Sequence, residues 1–250
     1  MKKGYVVTKS LLFFAFLFSI FLSGYSKALA APLDSRWKLY NSVSSLNQYY
    51  DIKTIEYDPN EQIAKVWTLC TDSKSGESKR LELSAISFKY KSSDMAMQIV
   101  TYNDNGDPIT RKISETYTWR YIPPDTPIEA LANSVASELH IKPIYPGGPD
   151  RWKWLRSTDK YGLYVAKDTI TYDPDLSEYS IWTKRIYLNN YRPETLYSVN
   201  FVDKTIWVAQ PTSPWIRYEG HIHPFPESDE EYIYNAVKDL AQNLKYTQNQ

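Results

Sequence analysis

The chain contains much of its own sequence twice, and this limits what it can fold into more than any other feature. Arg36-Trp37-Lys38 recurs as Arg151-Trp152-Lys153, a displacement of 115 residues. At the same displacement Thr54-Ile55 returns as Thr169-Ile170, and Tyr57-Asp58-Pro59 as Tyr172-Asp173-Pro174. Trp67-Thr68 returns as Trp182-Thr183. Positions 36–68 carry 12 identities in 33 without a gap, far above chance, so the pattern reads as a duplication. A second correspondence has a different offset. Thr126-Pro127-Ile128-Glu129 aligns with Ser228-Asp229-Glu230-Glu231 at 102, so the second copy has lost 13 residues between Thr183 and Ser228.

Both of these tetrapeptides read as helix starts. A hydroxyl at the N-cap accepts the N3 amide, and a glutamate at N3 reaches back to the N-cap amide. Pro127 sits at N1, where a missing amide costs nothing. Apolar residues follow at helical spacing: Ile128, Leu131, Ala132, Val135 and Leu139 in the first copy. The second copy gives Ile233, Val237, Leu240, Ala241 and Leu244. Each helix therefore has one apolar stripe that must dock on something.

The segments before each helix read as strands. In the first copy these are 63–70, 81–90, 95–102 and 109–118, the last two joined by the turn Asn103-Asp104-Asn105-Gly106-Asp107. In the second they are 180–188, 196–202 and 205–209, with Lys204 at a turn. Residues 142–150 hold three prolines and two glycines, which suits neither helix nor central strand. The expected fold class is α+β: two tandem repeats, each an antiparallel β-sheet of about five or six strands with a C-terminal helix packed on it. The expected domains are a signal peptide at 1–30, a first repeat at 31–142, a Pro/Gly linker at 143–150, and a shortened second repeat at 151–250.

The N-terminus predicts export. Lys2 and Lys3 precede the apolar run 11–22, and Ala28-Leu29-Ala30 has the small-x-small form of a cleavage site. Twelve apolar residues rise about 18 Å as a helix, short of a ~30 Å hydrocarbon core. No later stretch is apolar enough to span a membrane, so no transmembrane segment is expected after cleavage. Residues 1–30 hold four of the 29 basic side chains and no acid, leaving 25 basic against 29 acidic. That balance lacks the basic footprint of a nucleic-acid binder. The single Cys70 excludes a disulfide framework, a Cys-based zinc cluster and a CxxC redox site.

No residues announce catalysis. There is no nucleophile elbow and no zinc-protease helix. Cys70, in an apolar strand beside Trp67 and Leu69, reads as an inert thiol. Aligned as a calcium loop, Gly106 would put Thr101 and Lys112 where carboxylates are required, so the segment is a hairpin turn. Asp58-Pro59 and Asp173-Pro174 read as turn initiation. His140 is expected at the helix C-terminus, where the dipole favours a positive ring. His221 and His223 would need a third ligand, and the prolines of His221-Ile222-His223-Pro224-Phe225-Pro226 point to a loop or edge strand. In Arg36-Trp37-Lys38 and its copy, a strand with Trp inward and Arg and Lys outward explains the triplet, against exposed Trp sugar platforms. The expectation is a non-enzymatic chain with no catalytic residue, no metal ligand and no cofactor, and with binding residues that the pattern does not assign.

Each unit also resembles the surface-adhesin protein E family of bacterial exported domains. The resemblance runs over Trp37, Tyr49-Tyr50-Asp51, Thr54-Ile55 and Val66-Trp67-Thr68-Leu69. It continues through the Tyr102…Gly106 turn to Trp119-Arg120-Tyr121-Ile122-Pro123-Pro124-Asp125-Thr126-Pro127-Ile128-Glu129-Ala130-Leu131. The second copy keeps the front half and the capped helix, but His221-Ile222-His223-Pro224-Phe225-Pro226 replaces the Trp-x-x-Ile-Pro segment. The resemblance implies an antiparallel sheet with a helix packed on it, and binding of an extracellular or envelope protein or glycoprotein at the surface. Two alternatives stay open: a periplasmic or envelope-associated interaction protein, and a carbohydrate-binding module. This chain departs from the family pattern in lacking a lipidated cysteine after the cleavage site and a second cysteine to pair with Cys70.

Overall fold

The computed structural model describes residues 33–105, 107–113, 117–211 and 220–247. The expected signal segment and Gly106 lie outside them. The first sheet contains β1 (Trp37–Val43), β2 (Leu46–Asp51), β3 (Glu56–Asp58), β4 (Ile63–Asp72), β5 (Ser78–Ser87), β6 (Ser92–Tyr102), β7 (Pro108–Ile113) and β8 (Arg120–Tyr121). Helix α1 (Pro127–Glu138) follows. The second sheet contains β9 (Trp152–Ser157), β10 (Tyr161–Ala166), β11 (Thr171–Asp173), β12 (Glu178–Tyr187), β13 (Glu194–Asn200) and β14 (Thr205–Pro211), and helix α2 (Asp229–Thr247) comes last. Every pairing among the described residues is antiparallel, so the class is α+β.

The first sheet runs β1-β2-β4-β5-β6-β7, with β3 on β4 and β8 on β6; the second runs β14-β13-β12-β10-β9, with β11 on β12. Eight strands in the first sheet exceed the expected five or six. β3 and β8 have three and two residues, too few to show an alternating pattern. β7 runs Pro108–Ile113, residues 114–116 of the expected strand lie outside the described residues, and β5 ends at Ser87, where Phe88–Lys91 turn into β6.

Local chemistry explains why the recurring residues recur. The hydroxyl of Thr54 donates to the Asp51 carbonyl and accepts the Trp67 amide at 3.2 Å. Thr169 does the same between Ala166 and Trp182, at 3.1 Å to the amide. Asp58 accepts the amides of Asn60 and Glu61, and Asp173 those of Asp175 and Leu176, so each Asp-Pro nucleates an Asx turn. Asn103 likewise braces the β6–β7 turn by accepting the amides of Asn105 and Asp107.

Both helices are capped, with one correction to the expected geometry. Thr126 Oγ1 accepts the Glu129 amide and Ser228 Oγ the Glu231 amide. The glutamates, however, reach one residue further back, to the amides of Asp125 and Glu227, at 2.6 and 2.7 Å. Asp125 and Glu227 have φ of 58° and 62°, a left-handed turn that swings their amides toward the helix. His140 lies one position past the C-cap residue Leu139, at φ 56°. The Ile141 amide closes that end onto the Ala136 carbonyl.

Period-two alternation sends the second sheet's side chains to two different cores. Ile181, Tyr197, Val199, Ile206 and Val208 pack with Ile233, Ala236 and Val237 of α2. Their neighbours Trp182 and Leu196 join the other cluster, which contains Ile128, Leu131 and Val135 of α1 and Tyr50, Val66 and Ile86 of the first sheet. The two sheets thus share one core around α1. Between them Ile144 and Tyr145 are buried, although no helix or strand lies there. Trp182 Nε1 donates to Tyr145 Oη, which donates to the Ile122 carbonyl.

The expected outward Arg is overturned at Arg151, which is 6% exposed, whereas the Trp152 ring is only half-buried. Its guanidinium binds Glu129 through Nη1 and Nη2 at 2.9 and 2.6 Å, Asp125 at 2.8 Å and Asp168 at 3.0 Å. A buried arginine survives because acids from α1, its N-terminal turn and the second sheet's 3-10 turn surround it. Burial pulls its pKa down, but Glu129, Asp168 and Asp125 outweigh that and raise it overall. Arg36, its counterpart, pairs with buried Asp51 but keeps about a third of its side chain exposed.

Candidate functional site

Among the described residues, one concentration of exposed aromatic rings in a concave setting lies on the first sheet, beside its junction with the second. It is built from three short segments. The first is the β5–β6 turn, Phe88-Lys89-Tyr90-Lys91. Phe88 packs edge-on against Tyr57, its amide donates to the Gln62 carbonyl, and Lys91 takes φ 50° to close the hairpin. With Phe88 anchored inward, Tyr90 projects and is 60% exposed.

The second segment, 117–121, returns along β6. The Thr118 amide donates to buried Asp94 at 2.8 Å, and Arg120 and Tyr121 pair with Ser93 and Ser92. The free side of Tyr121 is held by the Gln210 side chain, which accepts its amide at 2.9 Å and donates to its carbonyl at 3.3 Å. A residue of β14 thus fixes a strand of the first sheet. Trp119 stacks on Tyr117 at 4.9 Å and 14°, and is 37% exposed; Tyr121 is 46% exposed. The third segment is β11 with its turn, where exposed Tyr172 leans on Tyr179 at 4.6 Å.

These segments enclose two adjoining clefts. One, of about 440 Å³, is lined by Tyr90, Trp119, Tyr121, Ile63, Glu61 and the serines Ser87 and Ser92. The other, of about 350 Å³, lies between the sheets, against Lys91, Tyr145, Tyr172, Asp173, Asp175 and Trp182. Tyr90 and Tyr121 line both, so the two form one groove with a tyrosine ridge. Each volume falls within the ~300–1,000 Å³ of small-molecule sites. Lys91 lies with its ammonium 4.8 Å from the Tyr145 ring. Burial draws its pKa down, and the charge of Asp168 opposes this. The groove is lined by aromatic rings together with hydroxyls, two lysines and three carboxylates.

The residues weighed from sequence lie elsewhere. Cys70 is free and half-buried, and burial, with the Glu82 charge, pushes its thiol pKa up. His140 is exposed past α1. His221 stacks on Trp207 at 5.1 Å, while His223 Nδ1 lies 3.1 Å from the Lys204 carbonyl. The residue between them, Ile222, bridges to Ile206 of β14. Among the described residues no three His, Cys, Asp or Glu side chains gather as a metal site. Nothing in the sequence pattern marks Tyr172 as a neighbour of Tyr90 and Lys91. The one local signal is Lys-Tyr-Lys between two strands, an aromatic ring in a turn.

The second sheet has a turn of similar pattern. Its β13–β14 turn is Phe201-Val202-Asp203-Lys204, with Phe201 packed inward and Lys204 at φ 56° like Lys91. There Asp203 stands in the place of Tyr90. At the offset of 102 that aligns the helix caps, His221 and His223 stand in the places of Trp119 and Tyr121. No family model, curated protein or solved structure matches the chain.

Proposed function

We propose that the chain is an exported, non-enzymatic binding protein that holds a protein or glycoprotein partner in the Tyr90–Trp119–Tyr121 groove. One observation carries this reading: three exposed aromatic side chains, Tyr90 from the β5–β6 turn and Trp119 and Tyr121 from the segment 117–121, line one concave corner, and hydrogen bonds hold both segments in place. Rigid amphipathic rings give large contact area at low entropic cost, which is why Tyr and Trp dominate binding hot spots. The resemblance to surface-adhesin protein E supports the same direction, and the signal peptide expected from the sequence supports a location outside the cytoplasm.

The two sheets, each followed by a helix, are read as descendants of one duplicated unit. At the displacement of 115, β1 to β4 fall on β9 to β12, start for start. β7 has no counterpart among the described residues, in keeping with the 13 residues lost. With Asp203, His221 and His223 at the corresponding corner, the second unit serves to build the first unit's groove. It does not present a second copy of it.

The test is surface plasmon resonance of the mature chain over immobilised extracellular matrix glycoproteins. Tyr90→Ala and Tyr121→Ala should each weaken a retained partner tenfold or more, about 1.4 kcal/mol. Trp154→Ala, at an exposed ring of β9 outside the groove, should leave it unchanged. Failure to retain any partner, or equal binding by all variants, overturns the proposal.

A further inference from the structure

Granting that the groove is the binding site, its chemistry narrows what it can take. We infer that the occupant is an uncharged oligosaccharide whose pyranose rings stack on Trp119, Tyr121 and Tyr90. Three observations converge on this class.

The first is the form of the apolar surface. Trp119 is backed by Tyr117 at 14° between ring planes, so its orientation is held by a second ring. The Tyr121 backbone is clamped on both sides, by β6 and by Gln210. A pyranose with equatorial hydroxyls presents a flat face of axial C–H groups, which fits such a platform. An aliphatic side chain of a protein partner would use a pit instead.

The second is the polar rim. Glu61, Ser87 and Ser92 border one cleft; Lys89, Lys91, Asp173 and Asp175 border the other. Acceptors and donors of both signs lie within one groove. Sugar hydroxyls are donors and acceptors at once and can satisfy both. A polyanion would meet three carboxylates and a polycation two ammonium groups, so either would be opposed by part of the wall.

The third is length. The two clefts adjoin across the Tyr90–Tyr121 ridge, and their combined volume exceeds one ring. A chain of several sugars can cross the ridge and touch both walls, and a monosaccharide cannot.

The experiment titrates the full mature chain with cellohexaose, chitohexaose and desialylated complex N-glycan. It uses isothermal calorimetry and tryptophan fluorescence, with glucose and heparin as comparisons. The result expected is saturable binding of at least one neutral oligosaccharide, at least tenfold tighter than glucose and tighter than heparin. Trp119→Ala should weaken it tenfold or more, Trp119→Phe should restore most of it, and Trp154→Ala should not change it. Circular dichroism of each variant establishes that the fold is kept.

A parallel arm offers the retained glycoprotein before and after enzymatic removal of its glycans. Binding that survives deglycosylation yet is lost in Tyr121→Ala overturns the sugar assignment and keeps the groove as a protein-binding site. Preference for heparin overturns the uncharged class. Neutral glycan binding indifferent to all groove variants overturns both the assignment and the groove.

Discussion

Replacing Arg151 by alanine should be among the most damaging single changes outside the hydrophobic clusters. Four N–H···O contacts of 2.6–3.0 Å join its guanidinium to Glu129, Asp125 and Asp168. Without it, Glu129 keeps only the Asp125 amide while remaining 5% exposed. Hydrogen bonds to charged groups are worth about 1.5–3 kcal/mol each, but their sum is not the expected loss, because a buried arginine is itself expensive to desolvate. Breaking one side of a buried pair costs about 3–5 kcal/mol, and that range applies here. Against a typical total stability of about 5–15 kcal/mol this is a large fraction.

Urea unfolding followed by tryptophan fluorescence measures it. Arg151→Ala should lower the midpoint, and adding Glu129→Gln should recover part of the loss, because the stranded charge is then gone. Arg151→Lys should fall between, keeping charge without the fork. Lys38→Ala, which removes the solvent-exposed pair with Glu138, should stay within about 1 kcal/mol of wild type. A loss below about 1 kcal/mol for Arg151→Ala, or a double variant showing the two losses simply added, would refute this reasoning.

Three further outcomes follow from the same structure. Burial pushes the Glu194 carboxyl up to about 7, with Asp125 and Glu129 adding to it and Lys184 opposing. Because the folded state holds this proton more tightly, the group favours folding below about pH 4.3 and loses that contribution as pH rises through 7. Thermal unfolding at pH 5 and pH 8 should show Glu194→Gln gaining on wild type at the higher pH, by at most roughly 3 kcal/mol. Ser228→Ala removes the acceptor for the Glu231 amide and should cost about 1 kcal/mol in chemical denaturation, with m unchanged. The raised thiol pKa of Cys70 should make it react with Ellman's reagent several-fold more slowly in the native chain than in urea.

The elements that were legible in the sequence are those whose causes are local. The Thr54 and Thr169 hydroxyls, the Asx turns of Asp58 and Asp173, and the two N-caps each act within a few residues, so recurrence at 115 or 102 exposes them. Alternation along a strand triplet predicts an outward Arg151; its burial depends on acids 22 and 26 residues upstream, which no alternation rule contains. The groove is less local still. Tyr121 owes its place to Gln210, 89 residues away, and Tyr172 reaches the same corner only because the two sheets share a core around α1. Aromatic abundance was plain in the sequence, with 22 Tyr and 8 Trp, but which rings would be exposed together was not.

The chain's eight tryptophans give eight indole N–H resonances, and these test the central claim at residue resolution. A heteronuclear NMR titration with desialylated N-glycan, the signals assigned by single Trp→Phe variants, should move the Trp119 resonance progressively to saturation. Those of Trp37 and Trp154, on strands β1 and β9, should stay fixed. Movement of Trp154 or Trp37 with Trp119 unmoved would place the binding face elsewhere and contradict the account.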